Sequence, residues 1–592
     1  MKLRRYVVKR TKKMERIILL LIANLCTSAL LAQRAPLRVF HNDVPAVRDE
    51  YRKAYGEPTE IMPTTGRQPN MLFITSDQQF WMGVGYNDTT LKTPNLDRLA
   101  KSGMIFDRAY TCNPTCTPTR ASMITGMYPS QHGAYALGTK LPETVPTVGD
   151  YLKELGYRTA LVGKAHFMPL VGNAEYPSLE AYPVLQDLDF WAGYHGPFYG
   201  FEVAELARPH GDEAHVGQHY ALWMERKLKE AGRDPAMWKQ WYRKPSQASF
   251  NTANAVMRPI MEEHAAHGKT QHGVWNIPDK YHLNAWIADQ TNAQIDASIK
   301  DGRPFFVWAS FFDPHPPYLV PEPWASMYDP EEMVLPEVPA GDLDDMPYHY
   351  RMTQTAEKGW ARRYMEDGQG VHGLSSHLTS SVQAKRNKAL YYGMISMMDH
   401  YIGKILDHLE QAGQLENTII VFTTDHGHHI GSHGLYAKGG FAFEEDLRIP
   451  FIVSWKDHFQ SDIRTDALIS VVDLAPSFIA LAGGKKPMTM SGVDASLLWY
   501  GRTTKVRDWV IAENRFQRTK FYQRTYIEDR YKITWYMHSD EGELFDLEAD
   551  PHEFNNLWQY EAYHELKSEL MHRAMQADMA KEAAWMPRLG PA

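Results

Sequence analysis

Residues 70–75 read NMLFIT, a short apolar run of the kind that forms a strand buried on both faces, and Ser76-Asp77-Gln78-Gln79 follow without a break. The same succession recurs three times. Residues 159–163 run into Lys164-Ala165-His166, residues 304–312 (PFFVWASFF) into Asp313-Pro314-His315, and residues 418–424 (TIIVFTT) into Asp425-His426-Gly427. Helical patterns lie between them, among them residues 147–155 and 387–412. Strands alternating with helices predict an α/β fold with a large, mostly parallel sheet flanked by helices. Ligands bind such sheets at the carboxyl ends of the strands, so polar clusters at successive strand ends can converge on one site.

From about Arg507 the pattern changes to WVIAEN, KFYQRTYI, YKITWYM and GELFDL, short β-rich runs with turn residues between them. They predict a small C-terminal antiparallel-sheet subdomain with a terminal helix over residues 560–580. The acidic residues of 542–557 read as turn and cap formers. A chain of 592 residues exceeds what one core usually organises. The expected division is a signal peptide at 1–32, an N-terminal arm at 33–69, a catalytic domain with insertions at 70–505 and the C-terminal subdomain at 506–592.

Two irregular stretches interrupt the large domain. Residues 168–280 carry His195, His210, His215 and His219; residues 321–381 carry Arg351, Lys358, Arg362, Arg363 and His372. Stretches of this length form functional loops or elaborated insertions. The histidine spacing fits no zinc pattern, and these side chains read as solvated or as hydrogen-bonding a substrate.

Basic residues between Lys2 and Arg16 lead into an apolar run at 17–32, the form of an export signal and too short for a stable membrane span. Met14 is an alternative start. Periplasmic or secreted placement in a bacterium is the expectation. Only Cys112 and Cys116 follow that segment, so there is no disulfide framework. The net charge of −8 argues against nonspecific nucleic-acid binding.

The chemistry centres on residues 111–126, TCNPTCTPTRASMITG. Pro118 disfavours helical geometry at Thr117 and suits the first turn of a helix, which places Cys116 just ahead of a helix N-terminus, where an anionic group is favoured. Arg120 adds a fixed cation. Taken by itself, Cys116 also reads as a structural thiol or as half of a disulfide with Cys112.

The run Cys116-Thr117-Pro118-Thr119-Arg120, continued by Met123-Ile124-Thr125-Gly126, resembles the motif of the type I (formylglycine-dependent) sulfatases of the alkaline-phosphatase-like superfamily. The resemblance extends from Asn70 to Leu557. It implies that Cys116 is oxidised by a formylglycine-generating maturase and that the hydrated aldehyde attacks the sulfur of a sulfate ester. It implies one divalent metal, Ca²⁺ with Mg²⁺ or Mn²⁺ as alternatives, held by Asp77, Gln78, Cys116, Asp425 and His426. Gln78 stands where many members have Asp, and His426 where many have Asn. Lys164 and His166 match the family's second motif, GYRTALVGKAH, with Ala165 where an aromatic residue or Met is usual. Lys438, in AKGGFAFEEDLRIP, matches a second lysine on the sulfate; Glu444, Glu445 and Arg448 are expected to fix its loop. His315 matches the histidine that protonates the leaving alcohol. The implied catalytic set is therefore Cys116, Arg120, Lys164, His166, His315 and Lys438, and His428, His429 and His433 are left as structural residues. The substrate class implied is a sulfated polysaccharide or oligosaccharide, such as ulvan, carrageenan or a glycosaminoglycan. The alternatives are a phosphodiesterase or phosphonate monoester hydrolase of the same superfamily, or an inactive carbohydrate-binding relative.

Only Cys116 has Pro and Arg at the two- and four-residue offsets. Peptide mass spectrometry of active protein is expected to find an aldehyde at Cys116 and a thiol at Cys112; full activity with a Cys116 thiol would rule this chemistry out.

Overall fold

A computed structural model describes residues 68–181, 183–208, 216–241, 262, 273–366, 370–516 and 519–586. The expected signal peptide, nearly all of the arm, His210 and His215 lie outside them. The elements described below belong to one unit, Met62–Ala584.

The alternation of side chains along a strand explains why the run at residue 70 is apolar throughout. In β1 (Asn70–Ser76) every residue is buried. Met71 and Phe73 enter one core, Leu72 and Ile74 another. β1 lies within an eight-stranded sheet. The other strands are β2 (Met104–Phe106), β3 (Arg158–Gly163), β4 (Val203–Leu206), β5 (Phe305–Ser310), β6 (Thr418–Thr424), β7 (Phe451–Ser454) and β8 (Ile463–Thr465), and the order is β8-β2-β7-β6-β1-β5-β3-β4. From β6 to β4 all neighbours are parallel, with Met71 opposite both Phe306 and Ile419. β7 is antiparallel to β6 and to β2, and β8 is parallel to β2.

Each face of the sheet is covered by helices. Phe73, Trp308 and Val421 pack with α2 (Cys116–Thr125), α3 (Val148–Glu154) and α6 (Leu474–Leu481). Ile74, Val307 and Phe422 pack with α1 (Pro94–Lys101), α4 (Leu283–Asp301) and α5 (Ser381–Gln411). The parallel α/β expectation therefore holds. α5 starts ahead of the expected residue 387 because the Ser380 side chain accepts from Gln383 N–H and caps the helix there. Its first turns present exposed residues such as Val382, which hid them from the apolar pattern. Among the described residues, no helix is long and apolar enough to cross a membrane.

The C-terminal runs form an antiparallel meander, β9 (Val510–Arg515), β10 (Tyr522–Ile527), β11 (Tyr531–Tyr536) and β12 (Gly542–Asp546), paired in that order. α7 (His564–Ala580) follows, with two 3₁₀ turns where the helix was expected to begin. Asp546 and Asp550 do form turns, accepting from Ala549 N–H at 3.2 Å and Asn555 N–H at 2.7 Å. Two acids of the same stretch do not fit the turn reading. Glu543 accepts from Tyr350 Oη at 3.1 Å, and Glu553 pairs with the buried Lys532 at 2.5 Å. Lys532 also meets Glu444 at 3.2 Å, and Tyr110 Oη donates to the same carboxylate at 2.9 Å. This buried network ties the meander to residues 444–447.

Removing one partner of a buried ion pair strands the other charge, which outweighs any lost attraction. Lys532→Met, which leaves Glu444 and Glu553 without their cation, is expected to cost about 3–5 kcal/mol in equilibrium urea unfolding. A loss near zero would show that the network does not anchor the meander.

Candidate active site

The parallel strands and one helix deliver their polar groups to a single point. Asp77 follows β1, Lys164 follows β3, and Asp425 follows β6. α2 enters from the side, and Cys116 is its first residue rather than the one before it; Thr115 is the extended cap and Pro118 the third helical residue. The first N–H groups of a helix have no intrahelical partner, so proline there sacrifices no bond. Cys112 and Cys116 are both free thiols and both buried, which excludes a disulfide between them.

Cys116 Sγ lies 3.2 Å from His426 Nε2, 3.0 Å from Lys438 Nζ and 3.8 Å from Asp77 Oδ1. One ligand atom each from Asp77, Cys116, Asp425 and His426 falls within 4.8 Å of the others. Lys164 donates to Asp77 Oδ2, and Arg120 Nη1 donates to Asp425 Oδ2 at 3.1 Å. All of these side chains are fully buried or nearly so.

The site's charges are set by one another. Burial alone would raise the Asp77 pKa, but Lys164, Lys438, His426 and Arg120 outweigh it and hold the carboxyl well below its usual range. Burial would lower that of Lys438, and Cys116, Asp77 and Asp425 reverse this and raise it. Burial, with Lys438, lowers the His426 pKa against the pull of Asp425, so the imidazole is neutral. Its Nδ1 donates to Gly427 O at 3.0 Å, which turns the Nε2 lone pair toward Cys116.

The donor set suits a divalent cation. Gln78 has a left-handed backbone (φ 61°), its N–H donates to Asp425 Oδ1 at 3.1 Å, and its Nε2 meets His428 Nδ1 at 3.1 Å. With the amide nitrogen so held, Oε1 is buried and has no hydrogen-bond partner among the described residues. An oriented amide oxygen beside two carboxylates and a neutral imidazole is a ligand set for a hard or borderline ion.

Arg120 does more bracing than was expected of it. Nε donates to Ala165 O at 2.9 Å, Nη2 to Lys164 O at 2.7 Å and to Ser310 Oγ, and the group lies 5.2 Å from the Trp308 ring centre. With the Asp425 bond, most of its five donors are committed within the chain. His166, the residue after Ala165, is buried and left-handed at φ 61°. His315 follows β5, its Nδ1 2.5 Å from Pro316 O and its ring 5.0 Å from that of Phe312. Lys164 Nζ lies 5.1 Å from the same Phe312 ring. Thus Asp77, Gln78, Cys116, Arg120, Lys164, Asp425, His426 and Lys438 are joined by direct contacts, and His166 and His315 flank them through Ala165 and Phe312.

The loop of Lys438 is held differently from the sequence expectation. Glu444 serves the Lys532 network, and Arg448 donates to Asp107 O at 2.5 Å and covers the Trp81 ring at 3.8 Å. It is Asp446 that accepts from Gly439 N–H, at 3.1 Å. Asn514 Nδ2 donates to Gly439 O, and His349 Nε2 lies 2.9 Å from Gly440 O. Gly439 has φ 112°, and a methyl group there would sit 2.6 Å from His372 O. His428 also exceeds the structural role assigned to it, since it orients Gln78 while contacting Tyr318 Oη at 2.7 Å. Tyr391 Oη donates to Gln78 O at 2.8 Å. Only the two-residue spacing from His426 marked His428 in the sequence; nothing marked Tyr318, Tyr391, Asp446 or Asn514.

His195, Glu205 and His219 form a second cluster with metal-like spacing. There His219 Nδ1 accepts from Leu206 N–H at 2.8 Å and Nε2 donates to Tyr194 O at 2.6 Å, so both ring nitrogens are committed to backbone. His195 pairs with Glu205 at 2.6 Å. His219 is therefore a structural residue.

Asp77→Asn and Asp425→Asn keep the volume of each side chain but remove a charge from the donor set. Each is expected to abolish stoichiometric metal in elemental analysis while circular dichroism stays close to wild type. Full metal occupancy in both would place the metal elsewhere.

The family model described as Sulfatase matches residues 69–484, and that of the N-sulphoglucosamine sulphohydrolase C-terminal region matches residues 431–580. The chain is 27% identical to an arylsulfatase of Clostridium perfringens over 84% of its own length and 92% of the relative's. It is 24% identical to an N-acetylglucosamine-6-O-sulfatase of Bacteroides thetaiotaomicron, with 85% of each covered. The fold is also that of a phosphonate monoester hydrolase from Silicibacter pomeroyi, with a TM-score of 0.66 at 21% identity over 87% of this chain and 96% of the other. With the Sulfatase model spanning the whole α/β sheet and the gathered Cys116 site within it, the chain belongs to the sulfatase family.

Proposed function

We propose that this protein hydrolyses sulfate ester bonds on a sulfated polysaccharide or oligosaccharide, with Cys116 as the precursor of a formylglycine. The observation that carries the reading is the position of Cys116: at a helix N-terminus, 3.0 Å from Lys438 Nζ and within the Asp77–Asp425–His426 cluster. The carbohydrate substrate is supported by family membership and by the similarity to a sulfatase named for N-acetylglucosamine. Export and maturation by a formylglycine-generating enzyme belong to the same reading and rest on the leader-like N-terminus and the motif around Cys116.

Formylglycine at this position, hydrated by one water to a geminal diol, would supply one hydroxyl as nucleophile and a second whose loss of a proton re-forms the aldehyde and breaks the C–O bond to release sulfate. Asp77, Gln78, Asp425 and His426, with the residue formed from Cys116, would hold a divalent ion, Ca²⁺ or alternatively Mg²⁺ or Mn²⁺, which would supply Lewis-acid polarisation of oxygen. The remaining work falls to side chains. Lys438 and Lys164 place ammonium groups where the sulfate oxygens and the developing charge lie. Arg120 keeps Asp425 and the carbonyls of residues 164 and 165 in place. His166 accepts the proton of the second hydroxyl. His315 has Nδ1 directed at Pro316 O, so its Nε2 is the nitrogen that protonates the departing alcohol, which requires the imidazolium form.

An acid matters most for a poor leaving group. His315→Ala is expected to lower kcat/KM on a sulfated saccharide by about 10²–10⁴-fold and to leave an activated aryl sulfate nearly unaffected, whereas Lys438→Ala lowers both. Equal losses on the two substrates would remove His315 from the proton-transfer step. Faster turnover of an aryl phosphodiester than of an aryl sulfate by the metal-loaded, aldehyde-bearing protein would replace sulfate hydrolysis with phosphodiester or phosphonate chemistry.

A further inference from the structure

His166 is buried, yet it holds a left-handed backbone (φ 61°), a conformation that a non-glycine residue adopts only when its surroundings enforce it. The enforcing groups are on either side of it. On the amino-terminal side, the Arg120 guanidinium donates to the carbonyls of Lys164 and Ala165. On the carboxyl-terminal side, three consecutive N–H groups converge on one carboxylate. His166 N–H donates to Glu180 Oε1 at 2.6 Å, and Phe167 and Met168 N–H donate to Oε2 at 2.8 and 2.9 Å.

Successive N–H groups made concave by a left-handed residue form a nest for an anion. Here the anion comes from the chain itself. Glu180 is 1% exposed, although the loop that delivers it passes through solvent, with Val171 63% and Tyr176 56% exposed. Ser178 closes that loop, its Oγ donating to Pro169 O at 2.8 Å and accepting from Glu180 N–H at 3.2 Å. Burial raises the Glu180 pKa above its ordinary value, and Arg208 and the three N–H groups, which favour the charged form, offset part of that rise.

We propose that Glu180 is a positioning residue for His166: its carboxylate fills the nest at residues 166–168 and fixes the backbone conformation that directs the imidazole into the reaction centre. The segment from Lys164 to Met168 is thereby clamped between a guanidinium on its carbonyls and a carboxylate on its amides. The insertion after β3 becomes part of the catalytic apparatus without touching substrate. This inference rests on the proposed role of His166 in sulfate ester hydrolysis. Glu180→Gln is the sharpest variant, because the amide keeps the volume but turns an N–H₂ group toward an N–H donor.

The test is a double-mutant cycle of Glu180→Gln and His166→Ala on an aryl sulfate, beside hydrogen–deuterium exchange of the 164–169 peptide. Glu180→Gln is expected to lower kcat about 10–100-fold, with KM, metal content and Cys116 aldehyde content unchanged. In the His166→Ala background it should cause no further loss, and Glu180→Asp, which retains the charge, should recover part of the rate. Exchange of the 166–168 amides should accelerate in Glu180→Gln whether or not turnover is measured. A kcat within twofold of wild type, losses that multiply in the double variant, or unchanged exchange would each overturn the inference. If Glu180→Gln does not fold, the cycle is run with Glu180→Asp under the same criteria. Absence of sulfate release by wild-type enzyme would instead overturn the proposed function and leave the exchange result to judge the nest.

Discussion

Keeping the Asp77 carboxylate charged in a buried site, with Asp425 beside it, is the constraint on which this structure depends. The desolvation penalty for each buried ion is several kcal/mol, against a net stability of roughly 5–15 kcal/mol for a folded domain. Uncompensated, these two carboxylates would consume much of it. Lys164 on Asp77 and Arg120 on Asp425 compensate them, and Lys438 adds a third cation beside Cys116. Three cations against two carboxylates leave an excess of positive charge where the helix N-terminus of α2 also points. That excess is suited to an anionic ester, and several members of the cluster are held from outside it: Gln78 by His428, His426 by Gly427 O, and Arg120 by Ser310 and the carbonyls of residues 164 and 165.

The holding groups come from every layer of the molecule. Parallel strands give the carboxylates a common edge, while Trp308 on β5 supplies a flat surface under Arg120. The meander contributes Asn514 to the loop of Lys438 and Lys532 to the acids that follow it. Because the Lys438 ammonium must reach Cys116 from outside the sheet, its loop needs bonds on both faces of Gly439, and Asp446 and Asn514 provide them. The C-terminal sheet is thus a structural support for the Lys438 loop as well as an appended sheet.

The histidines show how one residue type divides its labour by environment. His426 is a neutral donor whose tautomer Gly427 O sets. His428 turns the Gln78 amide. His219 is consumed by backbone bonds and His433 by its pairing with Asp342 at 3.0 Å. Their spacing in the chain separates none of these fates; what lies opposite each ring nitrogen does.

What the sequence determined by itself is what local pattern can report. An apolar run followed by polar residues marks a buried strand and its end, so Asp77, Lys164 and Asp425 were legible, as was the α/β order of the sheet. The run from Cys116 to Arg120 lies within a single helical turn and a half, and it was legible only through its resemblance to a family motif, since by itself Cys116 reads equally as a structural thiol. The tertiary structure alone decided what holds these groups. Gln78 meets a histidine 350 positions away, Lys438 reaches Cys116 across 322, and Glu444 and Glu553 share a lysine from the meander. Hydrogen bonds between groups so distant in the chain leave no periodicity behind, because each partner satisfies its own strand or turn equally well with or without the other. Glu180 is the clearest case: in the sequence an acid in an irregular stretch, in the fold the anion around which three amides close.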